Sequence, residues 1–351
     1  MRRPSPVYLL IILAASLLFS ACSRQDIYQT AIDFERSSAG LEAASVAVGN
    51  LDIAYLRNQE MSAGDTIVMI HGFGANKDNW TRLAGHLTDD FNVYAIDLPG
   101  HGDSSKPLDI GYRLEDQAGY VARILDALSV DEAHVMGNSM GGAITALYAA
   151  NHPDKVQSAV LFSPAGILEY ESELVDLVKA GDNPLIPKQP GDFERLMDFA
   201  LEKKPFVPWP IMGVLEERAI ANREVNEVIF AAIRDAGSGA DFRNAITRIK
   251  APVLVVWGKE DRVINYRNGE IFEAAIPDAW LEVMEGIGHA PMLEAPEESA
   301  QLFRQFIGPP AEQTGFPQKS WNSALSDYKG MGKQGSLASI MPLTSELTTH
   351  A

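Results

Sequence analysis

A serine with a glycine two residues to either side, in Gly137-Asn138-Ser139-Met140-Gly141-Gly142, constrains this chain more than any other stretch. The apolar run Ala133-His134-Val135-Met136 before it reads as a buried strand. The Ala- and Leu-rich run from Ala143 to Ala150 after it reads as a helix. Ser139 therefore stands at a strand-to-helix corner. Gly137 and Gly141 leave room for the strand and helix to pass closely, and the serine takes a strained backbone conformation. That strain presents the hydroxyl at the carboxyl end of a sheet, where a substrate can reach it. A dinucleotide-binding turn also joins strand to helix, but it requires G-x-G-x-x-G. Ser139 occupies the middle glycine position of one such alignment, and Lys77 occupies the third position of the other, which starts at Gly72 and Gly74.

Around this corner the chain alternates apolar runs with helical patterns. Thr66–Ile70, Asn92–Ile96, Gln157–Phe162, Ala251–Trp257 and Trp280–Met284 read as strands, and Leu51–Leu56 reads as an edge strand. Tyr112–Leu128, a stretch around Tyr266–Ala275 and Pro296–Ile307 read as helices. This alternation predicts an α/β class fold with a mostly parallel, doubly wound sheet. The rhythm breaks over residues 165–247, which are helical in pattern and interrupted by Pro184, Pro187, Pro190, Pro205, Pro208 and Pro210. So long a stretch between strands exceeds one crossover. It is expected to be an inserted helical cap, splitting a core of residues 51–164 and 248–308.

The ends of the chain read differently. Arg2 and Arg3 precede the apolar run Val7–Phe19, and small residues follow, so residues 1–21 read as a secretory signal. The run is short for a membrane span of about 20 residues. The single cysteine, Cys22, falls at its end in Leu18-Phe19-Ser20-Ala21-Cys22. That stretch resembles the lipobox of bacterial lipoproteins, with Phe19 where the motif prefers leucine. The resemblance implies lipidation of Cys22, an N-terminal membrane anchor and, with Ser23 rather than aspartate next, the outer membrane. The competing reading is an ordinary cleaved signal. Residues 22–50 are expected to be a tether with some helix, and residues 309–351 a mostly disordered tail. The formal net charge of −18 disfavours nucleic acid, and by electrostatics alone an anionic membrane surface, as a partner.

A serine hydroxyl is a weak nucleophile until a base takes its proton, and an acid must orient that base. At such a corner the partners follow in the order Ser, Asp or Glu, His. Of seven histidines only His289 and His350 come late, and His350 lies in the tail. His289 is the candidate base. Asp261, in the turn Gly258-Lys259-Glu260-Asp261 after a strand, is the candidate acid, with Glu260 as its rival. An oxyanion requires two preorganised N–H groups. Met140 follows the nucleophile and supplies one; Phe73, in His71-Gly72-Phe73-Gly74 after an early strand, is the candidate for the other. His71 reads as an orienting residue. This chemistry calls for no cofactor or metal.

These motifs, together with Gly288-His289-Ala290-Pro291-Met292, resemble the α/β-hydrolase superfamily over residues 51–307. Within it, Gly72-Phe73-Gly74-Ala75-Asn76-Lys77-Asp78-Asn79-Trp80 is similar to cold-active bacterial triacylglycerol lipases and to membrane monoacylglycerol lipases. The resemblance implies an ester or acylglycerol substrate and an acyl-enzyme. The corner also resembles hydrolases that cleave carbon–carbon bonds in ring-fission products, which is the alternative activity. In the cap, Phe206, Val207, Trp209, Ile211 and Met212 gather between prolines. Phe206 and Trp209 are candidate substrate-binding residues, lining the route of an acyl chain to Ser139 and partly exposed as a contact for lipid; the other reading is that they pack against the core.

Overall fold

The computed structural model describes residues 23–234 and 239–308. Eight strands form one sheet: β1 (Leu41–Val48), β2 (Leu51–Asn58), β3 (Thr66–Ile70), β4 (Asn92–Ile96), β5 (Ala133–Asn138), β6 (Val156–Phe162), β7 (Val253–Gly258) and β8 (Ala279–Met284). Their order is β1-β2-β4-β3-β5-β6-β7-β8. The pairings β1–β2 and β2–β4 are antiparallel, and all others are parallel. The central strands β3, β5, β6 and β7 are buried along nearly their whole length. Helices cover both faces of a sheet built this way, so its strands read as unbroken apolar runs.

Ten helices matter for the argument. α1 (Arg24–Ser38) precedes the sheet; α2 (Leu114–Ala127) and α3 (Met140–Asn151) flank β5. Between β6 and β7 lie α4 (Glu173–Lys179), α5 (Asp192–Ala200), α6 (Trp209–Ala221), α7 (Arg223–Arg234) and α8 (Gly239–Ile246). α9 (Asn268–Ala275) and α10 (Pro296–Ile307) follow β7 and β8. Five helices thus lie between β6 and β7, over the stretch where the rhythm breaks. Ligand sites in such sheets lie outside the carboxyl ends of the strands. The loops leaving β3, β5, β7 and β8 carry Phe73, Ser139, Asp261 and His289.

The expected tether is the clearest difference. Residues 24–38 form a helix and residues 41–48 form a strand, so β1, not β2, is the sheet edge. α1 starts at a capping box: Asp26 N–H donates to Ser23 Oγ at 3.1 Å, and Ser23 N–H donates to Asp26 Oδ2 at 2.8 Å. Only Tyr28 and Arg36 of its fifteen residues are buried, so its apolar period is weak. β1 buries only Leu41 and otherwise alternates half-buried and exposed positions, with Ala and Ser at many of them. Gly49, at φ +62°, lets the two-residue loop Gly49-Asn50 turn the chain into β2. The leader 1–21, Cys22 and the tail 309–351 lie outside the described residues.

Candidate active site

Ser139 has φ +55° and ψ −118°, a region that costs a non-glycine residue about 1–3 kcal/mol. Its surroundings impose the conformation. A Cβ at Gly141 would stand 2.1 Å from the carbonyl oxygen of Ile70, and one at Gly137 would stand 2.2 Å from that of Gly141. Only hydrogen fits at either place. The main chain of Ser139 is held at both polar groups: its N–H donates to Phe162 O at 2.9 Å, and its carbonyl accepts from Ala165 N–H at 2.9 Å.

The His289 and Asp261 side chains meet, with Nδ1 2.8 Å from Oδ2. The Asp261 carboxylate is buried and fully engaged. Oδ1 accepts from the N–H groups of Val263 at 2.8 Å and Ile264 at 3.0 Å, and Oδ2 also accepts from Trp257 Nε1 at 3.0 Å. Four donors therefore face two acceptor-only oxygens, so Nδ1 of His289 carries a proton and Nε2 is left as the acceptor. The rival Glu260 is turned away and accepts from Ile287 N–H at 3.1 Å. Two positioning residues escaped the sequence reading. Asn138 Nδ2 donates to the carbonyls of Phe162 and His289, both at 3.1 Å, tying the serine strand to the histidine loop. Glu294 gathers four N–H groups, from Glu202 and Lys203 at 2.8 Å, Gly288 at 3.0 Å and Ala290 at 3.2 Å. Asn138 is a variable position of the corner motif, and Glu294 carries no motif at all.

On the other side of Ser139, the loop after β3 packs so closely that a Cβ at Gly72 would lie 3.2 Å from the serine Cβ. Phe73 follows. Met140 opens α3, so its N–H has no partner within the helix. His71 sets this loop: Nδ1 donates to Gly72 O at 2.7 Å, and Nε2 accepts from Leu98 N–H at 3.1 Å. That pair of bonds requires the neutral ring. The ring of His101 lies 4.8 Å away, and its Nδ1 is 3.2 Å from Pro99 O.

Burial pushes the imidazolium of His71 down to about 4 and that of His101 to about 3. Both fall below the unfolded value near 6.5. From pH 6.5 down to about 4 the unfolded chain takes up protons that the folded chain does not. Their contribution to stability is full above pH 6.5 and is lost as pH falls through that window. Urea midpoints should drop between pH 7 and 4.5, while ring NMR signals of the folded protein show His71 and His101 neutral at pH 5. A folded-state titration of either ring near 6.5 would contradict this.

Comparison with known proteins fits this geometry. A family model described as "alpha/beta hydrolase fold" matches residues 65–206. The crystal structure of a membrane phospholipase A, a bacterial virulence factor, superposes with a TM-score of 0.79 at 40% identity, covering 86% of this chain and 96% of that one. The monoacylglycerol lipase abhd6-B of Xenopus laevis is 28% identical, covering 78% of this chain and 84% of its own. Lipase 1 of Psychrobacter immobilis is 35% identical over 281 residues, 79% of this chain and 88% of its own. The chain belongs to the α/β-hydrolase family.

In this α/β-hydrolase the serine and histidine open into one cavity of about 300 Å³. Phe73, Leu185, Phe193, Leu196, Met197 and Val207 are among its apolar walls, the last five from the insertion. Phe206 and Trp209 do not line it. They are 86% and 77% exposed, which does not fit packing against the core. Pro205 and Val207 face inward instead. One wall comes from α1, through Tyr28, Ile32 and Glu35. α1 is pinned there by Arg36, whose guanidinium makes a two-pronged contact with Asp78 at 2.7 and 2.8 Å. The neighbouring Lys77 is buried and bonds Asp97 at 2.8 Å and Asp103 at 2.6 Å. Asp103 also pairs with Arg218 of α6, which lies over the Tyr28 ring. The polar residues of the lipase-like stretch thus tie helix, loop and insertion together, while Trp80 is core against Phe162.

Proposed function

We propose that the chain hydrolyses carboxylic esters of acylglycerols through a covalent acyl-enzyme. His289 Nε2 takes the proton of Ser139 as Oγ attacks the ester carbonyl. The N–H groups of Phe73 and Met140 receive the oxyanion, worth about 3–4 kcal/mol for one such donor. His289 then gives its proton to the leaving alkoxide, water repeats the sequence on the acyl-enzyme, and Asp261 stabilises the imidazolium at each pass. One observation carries the reading: Ser139, His289 and Phe73 border a single cavity whose insertion side is apolar. An acyl chain fits such a wall, and the lipases similar to this chain favour it.

Carbon–carbon hydrolysis of a ring-fission product is the weaker reading. It uses the same corner, but the N-terminal leader points to export, away from soluble aromatic catabolism. A panel of p-nitrophenyl esters from acetate to palmitate, with monoacylglycerol and a ring-fission dienoate, decides between them. Turnover of the esters and monoacylglycerol is expected, with none of the dienoate. Turnover of the dienoate alone would reverse the assignment.

The same reading places the enzyme at a membrane through a lipidated Cys22. Several acyl chains on one residue hold stably where a single chain does not. Cys22→Ser should release the protein from the membrane fraction or leave its precursor unprocessed. Unchanged fractionation together with unchanged processing would remove Cys22 as the anchor.

A further inference from the structure

We propose that Ile27, Phe206 and Trp209 form a patch that docks into the lipid leaflet holding the N-terminus, directly outside the substrate cavity. The proposal rests on the membrane attachment read above, and adds a surface to it.

Among the described residues only seven large apolar side chains are strongly exposed, and these are three of them, at 42%, 86% and 77%. Ile27 and Trp209 lie on α1 and α6, which pack together, and Phe206 lies just before α6. Ser23 caps the start of α1, one peptide unit of about 3.8 Å from Cys22. The next residue, Arg24, pairs with Glu217 of α6 at 2.8 Å. Its guanidinium also lies 3.3 Å from where a Cβ on Gly213 would stand. Gly213 is one turn, about 6 Å, from Trp209 at the start of the same helix. Ile27 is the next turn of α1. An anchor at Cys22 therefore brings the membrane to Trp209, with Phe206 three residues before it.

Outward-facing and cavity-lining residues are direct neighbours along the chain here. Ile27 faces out, while Tyr28 lines the cavity. Phe206 faces out, while Pro205 and Val207 line the cavity. An acyl chain leaving the leaflet meets the cavity here. Charge does not explain the contact, because the chain is acidic overall. Large apolar side chains at the end of a proline-bounded helix start suit the headgroup–acyl boundary, and tryptophan favours that depth.

The test uses the full-length chain in phosphatidylcholine vesicles containing bromine-labelled acyl chains, with tryptophan fluorescence as readout. Trp80 and Trp257 are buried and serve as internal references. Bromolipid should quench a component that disappears in Trp209→Phe. The double variant Phe206→Ser, Trp209→Ser should hydrolyse vesicle-borne monoacylglycerol roughly tenfold more slowly, yet keep wild-type rates on a soluble acetate ester. Equal quenching of wild type and Trp209→Phe would overturn the proposal, as would an equal loss on both substrates. So would cross-linking of position 209 to a second copy, which would make the patch a self-contact. Failure of the wild type to float with vesicles would also overturn it. Mass spectrometry of the Cys22 peptide then shows separately whether the anchor reading has failed.

Discussion

Ser139→Ala lowers kcat on a butyrate ester by about 10⁶, and the melting curve stays in place. The size follows from the arrangement, because no second nucleophile replaces Oγ at the corner. His289 keeps its bond to Asp261, the N–H groups of Phe73 and Met140 stay put, and the residue still cannot attack. The stability expectation follows from the backbone. Alanine keeps the Cβ, so the φ +55° strain is neither relieved nor increased. The main-chain bonds to Phe162 and Ala165 do not involve the side chain. Ser139→Gly makes the complementary case. It loses the same hydroxyl and the same activity, but it relieves about 1–3 kcal/mol of strain, set against about 0.5–1 kcal/mol of extra unfolded-state freedom. It should melt at or above Ser139→Ala. Purified Ser139→Ala with more than a few per cent of wild-type kcat would mean the nucleophile is elsewhere.

What could be read without a structure follows the strength of local signals. The elbow combines a sharp glycine requirement with a fully buried strand, and both leave marks on the chain. The buried strands β3, β5, β6 and β7 were legible for the same reason. His289 was reachable by its place in the chain order, since the other histidines precede the nucleophile, follow it closely or lie in the tail. α1 and β1 were not legible. α1 buries two side chains and exposes Ile27 and Phe34, so its pattern looks polar and aperiodic, and only tertiary contacts make it a cavity wall. Glu294 and Asn138 act through backbone N–H groups and carbonyls brought together by the fold, a signal with no sequence period. Phe206 and Trp209 were legible as unusual, but large apolar residues in an insertion do not announce which way they face. Pro205 and Val207, beside them, turned out to carry the inward role.

Asp261→Asn should cost about 10⁴ in kcat. The reason lies in the four donors around the carboxylate: the N–H groups of Val263 and Ile264 on one oxygen, and Trp257 Nε1 and His289 Nδ1 on the other. An asparagine has one acceptor oxygen and one donor amide. If the oxygen stays with Val263 and Ile264, the amide faces Trp257 and His289. The imidazole must then turn to the tautomer with Nδ1 bare and Nε2 protonated, which cannot accept the proton of Ser139. If the amide flips, it opposes two backbone N–H groups, a costlier arrangement because the backbone cannot tautomerise. The first orientation wins, and it costs the indole N–H of Trp257 its bond to the carboxylate, leaving it only the carbonyl of Ile264 at 3.2 Å. A loss of about 1–3 kcal/mol in stability should accompany the loss of rate. Two measurements separate the effects. Active-site titration corrects kcat for unfolded protein, and nitrogen NMR of His289 reports the tautomer directly. With the tautomer reversed, an externally supplied base should recover part of the rate as pH rises. An Asp261→Asn enzyme within tenfold of wild type would hand the role to another carboxylate. Glu260 is the nearest in sequence, but it is committed to Ile287 N–H and would have to abandon that bond to reach the histidine.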